Sequence, residues 1–273
     1  MRRREFIVAF AIALAAATGA GERTAFAQAT QDPRVADLVR AGELRVGLGL
    51  GVLMQAVKNP TTGELRGAAL EMARALAARI GVRLVTVEYP RPGAVIDGLR
   101  TNAWDVSFLV IDPARMDEVD FSHPFLQSDY TYLVPPGSRI RSVADADQTG
   151  IRIAVPRGEG SDLYLSRTLK RADLVRTDSH AAAVDLLRTG SADAKAASRF
   201  VLMTERSAVP GSRVLDNGFA DISFAAIVPK GQAARLAFVN EFVEDAKASG
   251  LVERIIESLG LQGVKIAPAE KHS

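Results

Sequence analysis

The stretch that decides the fold runs from Leu44-Arg45-Val46-Gly47-Leu48, past a turn at Asn59 to Gly63, through Gly67 to Ile80, to Arg83-Leu84-Val85-Thr86-Val87-Glu88-Tyr89. Its first and last pieces are short apolar and β-branched runs that read as strands. Between them Leu70, Ala73, Leu76, Ala77 and Ile80 recur at the spacing of one helix face. Gly81 stands where a helix commonly ends in a left-handed residue. Strand, helix, strand predicts a parallel sheet flanked by helices, an α/β fold.

The pattern extends through a helix at Ala94 to Thr101, a strand at Asp105 to Ile111 and an extended segment at Asp129 to Val134. It restarts at Ile151 with a strand to Val155, a turn at Gly158-Glu159-Gly160, a helix from Ser161 to Lys170 and a strand from Leu174 to Arg176. A helix from Ser179 to Thr189 and a strand near Ala194 to Ala197 follow. After a second extended segment, Asp221 to Val228, come helices at Gln232 to Ser249 and Leu251 to Leu259. The extended segments end alike, Leu133-Val134-Pro135-Pro136-Gly137 and Ile227-Val228-Pro229-Lys230-Gly231. If both cross between lobes, residues 28–132 and 228–273 form a discontinuous first lobe and residues 133–227 an inserted second. Two crossovers make a hinge, and the cleft between lobes a ligand site. The alternative is that Pro and Gly end two unrelated strands.

The chain has 273 residues, 48% hydrophobic and 24% charged, which excludes disorder and allows one large or two medium domains. Its net charge of +2 lies in the first 27 residues, where Arg2, Arg3, Arg4 and Arg23 face only Glu5 and Glu22. The remainder carries basic and acidic side chains in equal number, so no nucleic-acid partner is expected. Residues 1–27 read as a signal peptide, with a basic start, an apolar stretch from Phe6 to Ala17, and Ala25-Phe26-Ala27 before Gln28. An uncleaved anchor is the alternative, and Arg3-Arg4-Glu5-Phe6-Ile7 also resembles a twin-arginine export motif. With no cysteine there is neither a lipobox nor a disulfide, so a freely diffusing periplasmic monomer is expected.

Metal and cofactor chemistry find no support. His123, His180 and His272 form no pair at ligand spacing, and His123 and His180 are expected to be structural or exposed. No Gly-x-Ser-x-Gly elbow occurs, and Gly47-Leu48-Gly49-Leu50-Gly51 lacks the dinucleotide fingerprint.

Two strings, Gly98-Leu99-Arg100-Thr101-Asn102-Ala103-Trp104-Asp105-Val106 and Arg115-Met116-Asp117-Glu118-Val119-Asp120-Phe121-Ser122-His123-Pro124-Phe125, resemble the family 3 extracellular solute-binding proteins, the amino-acid-type periplasmic receptors of ABC importers. The resemblance spans nearly the whole chain after residue 27. It implies a type 2 periplasmic binding fold that closes on a small solute and is presented to an ABC permease in the inner membrane. It also places Arg115 where the family's arginine clamps a ligand carboxylate, a task suited to a planar guanidinium with paired donors. The competing role is an ion pair with Asp112, Asp117 or Asp120. Across the cleft, Gly158-Glu159-Gly160-Ser161 offers free N–H groups at a helix start, or else Ser161 or Asp162 is an ordinary N-cap.

Departures from the family pattern bear on the solute. Phe108, Val110 and Asp112 stand where small hydroxyl residues are usual, Leu50 and Leu53 lie in the loop that often carries a stacking aromatic, and Ser198 replaces the aspartate that accepts an α-ammonium. One reading is a small organic acid with an apolar portion. The other is an amino-acid-like solute whose ammonium meets Glu159, Asp112 or Asp193. The resemblance also admits a cyclohexadienyl dehydratase-like enzyme with Glu159 as its acid, and a soluble receptor that feeds a sensor. Because the chain ends at Ser273, shortly after its last helix, that receptor is expected to be a separate protein docking onto its partner.

Overall fold

The computed structural model describes residues 32–270. The export segment expected at residues 1–27 lies outside the described residues. Helix α1 (Ala36–Ala41) turns at Gly42 into β1 (Glu43–Gly49), and a small hairpin of β2 (Val57–Lys58) and β3 (Leu65–Arg66) precedes α2 (Ala68–Ile80). The face of α2 read from the sequence is the buried one, and Gly81, at φ 80°, ends the helix with its N–H donating to the Ala77 and Ala78 carbonyls. Strand β4 (Arg83–Tyr89) then pairs parallel with β1 over its whole length, from Glu43↔Arg83 to Gly49↔Tyr89.

The segment expected as a helix at residues 94–101 is a 3₁₀ helix, Pro92–Thr101. Here the Trp104 indole N–H donates to the Val95 carbonyl at 2.9 Å, an acceptor that an α-helix reserves for the residue four positions on. Strand β5 (Val106–Val110) follows, and then β6 (Val119–Val134), far longer than the six-residue segment read from the sequence. The second half of the chain gives β7 (Arg152–Pro156), α3 (Gly160–Thr168), β8 (Asp173–Thr177), α4 (His180–Arg188), β9 (Ala194–Ser198) and α5 (Arg199–Glu205). It closes with β10 (Arg213–Val214), β11 (Ala220–Pro229), α6 (Ala233–Ala248), α7 (Leu251–Leu259) and β12 (Lys265–Ile266).

One ten-stranded sheet runs β4-β1-β5-β11-β6-β9-β7-β8, with β10 and β12 also on β6. It belongs to two lobes because its central strands change partners along their length. The first part of β6 pairs with β11, which pairs with β5 at Phe224–Ile227; the last part, Tyr130–Leu133, pairs with β9. The exchange falls at 127–130 and 220–223. The Val-Pro ends read from the sequence lie beyond it, Leu133 paired with Lys195 in one lobe and Ile227 with Ser107 in the other. Helices α6 and α7 pack on the first-lobe elements Pro33–Val35 and α2.

The second lobe buries a charge. Lys195 on β9 has a fully buried side chain whose Nζ binds the Glu205 carboxylate on α5, and lies 3.2 Å from the His180 carbonyl on α4. Removing one member of such a pair leaves the other charge desolvated without a partner, at a cost of about 3–5 kcal/mol. Lys195→Ala is therefore expected to lower unfolding free energy by about that amount in urea titration, whereas Lys195→Met combined with Glu205→Leu costs less than either single change. A single Lys195→Ala variant as stable as the parent would show that the pair does not support the lobe.

Candidate functional site

The two lobes meet over a cleft with about 40 Å³ of open space. That is room for one or two water molecules. The loop after β1 contributes Val52, Met54 and Gln55, the end of β5 contributes Leu109 and Val110, and the turn Pro113–Arg115 contributes Arg115. From the second lobe come Glu159, Gly160 and Ser161 at the start of α3, His180 as the first residue of α4, Ser198 at the end of β9, and Phe200 on α5. The crossing strands supply Tyr130 and Phe224, and the rings of Phe200 and Phe224 meet edge to face at 5.5 Å between centroids.

Arg115 is only 4% exposed. Its Nη1 donates to the Val110 carbonyl at 3.1 Å, and its Nη2 donates across the cleft to the Gly158 carbonyl at 2.9 Å. Gly158 adopts φ +72°, the left-handed region open to glycine, which turns that carbonyl toward the arginine. Among the described residues Arg115 makes no ion pair with Asp112, Asp117 or Asp120, the competing partners read from the sequence.

The other expected contacts divide. Val110, Glu159, Gly160, Ser161 and Ser198 line the cleft together with Arg115. Asp112 is buried but turned away from the solute space: both its carboxylate oxygens bind Arg167 of α3, at 3.1 and 3.0 Å, an ion pair between the lobes. Phe108 is a core residue, 2% exposed, its ring edge-on to Phe125 at 5.9 Å. Leu50 and Leu53 pack on the main core, and their neighbours Val52, Met54 and Gln55 form the wall instead. Gly158 acts through its carbonyl and lies outside the lining. Asp193 is engaged by Arg152, whose Nε lies 3.1 Å away, an ion pair that holds the carboxyl below its usual range.

At the start of α3, Glu159 is the N-cap residue and its side chain makes no capping bond; Asp162 accepts from the Gly158 N–H at 2.9 Å and pairs with Arg176 at 2.8 Å. The first N–H groups of the helix, those of Gly160 and Ser161, have no intrahelical partner. The Glu159 carboxylate accepts from the Gly93 N–H at 3.3 Å, and Arg91 donates to the Arg157 carbonyl at 2.8 Å, two further contacts between lobes.

Sequence reasoning passed over Tyr130, His180 and Gln55. Tyr130 is 4% exposed, its hydroxyl has no hydrogen-bond partner, and Gly160 lies directly beneath it, leaving no space there for a side chain. Burial pushes the phenol above its ordinary range, so the hydroxyl stays protonated as a donor. The buried Gln55 amide accepts from Gly49 N–H at 3.2 Å and donates to the Phe108 carbonyl, tying the loop after β1 to β5. His180, expected to be structural or exposed, is at the cleft wall.

Among the described residues no helix is long and apolar enough to cross a membrane. Over 266 residues the chain is 23% identical to the ABC transporter glutamine-binding protein GlnH of Bacillus subtilis (strain 168), covering 96% of each. It is 25% identical over 185 residues to a glutamine-binding protein of Geobacillus stearothermophilus, covering 66% of this chain and 70% of that one. The ancestral amino acid-binding protein AncCDT-1, a precursor of cyclohexadienyl dehydratase, matches 82% of this chain and 98% of its own with a TM-score of 0.74 at 25% identity. The solute receptor for L-cysteine of Neisseria gonorrhoeae shares the fold, with a TM-score of 0.76 at 21% identity over 86% of this chain and 99% of that one. Residues 52–261, which hold the second lobe, much of the first and every cleft residue named above, match the family's sequence pattern, and the chain belongs to the bacterial extracellular solute-binding proteins, family 3.

Proposed function

We propose that this chain is the periplasmic receptor of an ABC importer, and that its lobes close on a small carboxylate-bearing solute anchored by Arg115. The observation that carries this reading is the arginine itself, a buried cation in the cleft whose hydrogen bonds among the described residues go to carbonyl oxygens alone. A guanidinium has five N–H donors, and two are engaged. A desolvated cation without a counter-charge is costly, and a carboxylate entering the cleft removes that cost through charge-assisted hydrogen bonds. The relatives' glutamine and amino-acid specificities agree with a carboxylate anchor.

The cleft favours a solute without an amine. Ser198 cannot neutralise an ammonium, Asp112 is bound to Arg167, and Asp193 to Arg152. Glu159 is the one carboxylate lining the cleft among the described residues, and it supports the second reading, an amino-acid solute. The dehydratase reading gives Glu159 a proton to deliver, whereas its carboxylate accepts the Gly93 N–H in a lobe-closing contact.

The hinge in this reading lies where β6 and β11 change partners, at 127–130 and 220–223. Closure brings backbone against backbone: a Cβ on Gly93 would stand 2.6 Å from the Gly158 carbonyl oxygen. Gly93 belongs to one lobe and Gly158 to the other, so a methyl there obstructs closure without entering either core.

Three outcomes follow. A thermal-shift screen of amino acids against amino-free carboxylic acids should identify an amino-free acid, and Arg115→Ala should weaken its binding about 100-fold by calorimetry, as expected for two charge-assisted hydrogen bonds; unchanged affinity would remove the anchor. Glu159→Gln should leave that affinity unchanged or raise it, while stabilisation by amino acids alone, with a loss of about tenfold in Glu159→Gln, would establish the amine reading. Gly93→Ala should keep the parent's melting temperature without ligand, yet show no ligand-dependent decrease in radius of gyration by small-angle X-ray scattering. A full decrease would place the closing contact elsewhere.

A further inference from the structure

The second lobe holds a group of buried polar side chains that the carboxylate anchor does not use. Lys195 Nζ faces three acceptors: the Glu205 carboxylate, the His180 carbonyl at 3.2 Å and His180 Nδ1 at 3.3 Å. An ammonium has three N–H donors and no acceptor, so these partners satisfy it completely. His180 Nδ1 also lies 3.5 Å from Glu205. One state keeps the cluster satisfied, a neutral imidazole accepting from Lys195 at Nδ1, which carries its proton on Nε2. A ring with a proton on Nδ1 points an N–H at the ammonium and leaves one ammonium proton without an acceptor.

The His180 side chain is about 10% exposed and lines the cleft, while its Nδ1 edge is turned to the buried pair. We propose that His180 is a specificity-determining residue of the second lobe, presenting an Nε2–H to the cleft so that the solute offers an oxygen acceptor there in place of an ammonium. The inference rests on the reading of Arg115 as carboxylate anchor. The neighbouring polar groups agree with it. The Tyr130 hydroxyl is an unpartnered donor buried at the same cleft, and Ser198 stands where an ammonium-binding aspartate would oppose an acceptor. The solute class is a short acid with a second oxygen function, a dicarboxylate or a carboxylate with a carbonyl or carboxamide group. The Lys195–Glu205 pair then has a role at the cleft besides its place in the lobe, because it fixes which ring nitrogen of His180 bears the proton.

The test has two arms on the full mature chain. Long-range ¹H–¹⁵N spectra of histidine-labelled protein, assigned with His123→Gln and His180→Gln, should show His180 protonated at Nε2; a neutral ring protonated at Nδ1 overturns the proposal without reference to any ligand. In the second arm, calorimetry compares butyrate, succinate, succinamate and 4-aminobutyrate, with their five-carbon homologues. Succinate or succinamate, or its homologue, should bind about tenfold more tightly than the matching monocarboxylate, the worth of one hydrogen bond to a charged or carbonyl acceptor. His180→Ala should weaken binding of the acid with the second oxygen function about tenfold more than that of the monocarboxylate and so erase that preference, and His180→Gln, which retains an N–H donor, should restore part of it. A preference that survives His180→Ala, a preference for the amino acid of the set, or binding of none of these acids overturns the assignment. Arg115→Ala reports on the anchor separately, since it should weaken all the acids alike, the monocarboxylate included.

Discussion

Strands β6 and β11 are the only long elements that serve both lobes among the described residues, and their antiparallel ladder, from Ala220↔Tyr130 to Pro229↔Val119, sets where everything else can be. Its register shifts twice, between Phe224 and Ala225 and between Ala225 and Ile227. Such irregularities bend and twist a strand while keeping most of its hydrogen bonds. They lie near the place where pairing passes from one lobe to the other. Period-two alternation then decides which side chains enter the cleft. Tyr130 faces it, and Thr131, one residue on, turns away to donate to the Leu215 and Asn217 carbonyls at 3.2 and 2.7 Å.

Contacts that cross the closed cleft are several, and each is modest. In the pair with Asp112, Arg167 is 43% exposed, so solvent screens its end of a pair whose other end is buried. The Glu159 to Gly93 bond is long, at 3.3 Å. Arg115 to Gly158 joins a cation to a neutral carbonyl rather than to a counter-charge. The close passage of Gly93 over Gly158 is a geometric allowance, with no attraction of its own. None of these locks the lobes together, and that suits a receptor whose closed population must depend on its solute. A ligand shifts such an equilibrium only by its differential affinity for the two states. In the proposed reading Arg115, already bonded to the opposite lobe, is the group that provides that difference.

How much of this the sequence revealed depends on the range of the physics involved. Helix α2 and its glycine stop, the parallel pairing of β1 with β4, and the α/β alternation of the second lobe follow from local periodicity, and each was legible. The full length of β6 was not, because Pro124 and a mixed polar pattern hide an extended run that its partners impose. Near the site the difficulty was one of facing. Choosing Leu50 and Leu53 over Val52 and Met54, or Phe108 over Leu109, requires the direction of a loop or the side of a strand, and neither has a signal in composition. Asp112 showed its charge but not Arg167, its partner 55 positions away. Lys195 was the least legible: in Ala194-Lys195-Ala196-Ala197-Ser198 a lysine reads as the solvent side of a strand, and only the meeting of α4 and α5 gives it acceptors in the interior.

Apart from Tyr130 and Phe224 on the crossing strands, the cleft residues share one topological property, a place at or just past the end of a parallel strand. Val52, Met54 and Gln55 follow the carboxyl end of β1, Pro92 follows β4, and Arg115 follows β5. In the other lobe Glu159, Gly160 and Ser161 follow β7, His180 follows β8, and Phe200 follows β9. Each parallel strand thus delivers its next segment to the cleft, in keeping with the rule that open α/β sheets bind ligands beyond the carboxyl ends of their strands. The fold fixes where a solute sits and leaves its chemistry to the residues just past each strand. All three second-lobe segments begin helices, α3, α4 and α5, so this lobe meets the cleft with helix starts and their unpaired N–H groups. With Arg115 opposite and a serine at 198, that space is bordered by a cation and hydrogen-bond donors, with Glu159 the one carboxylate among the described residues that line it.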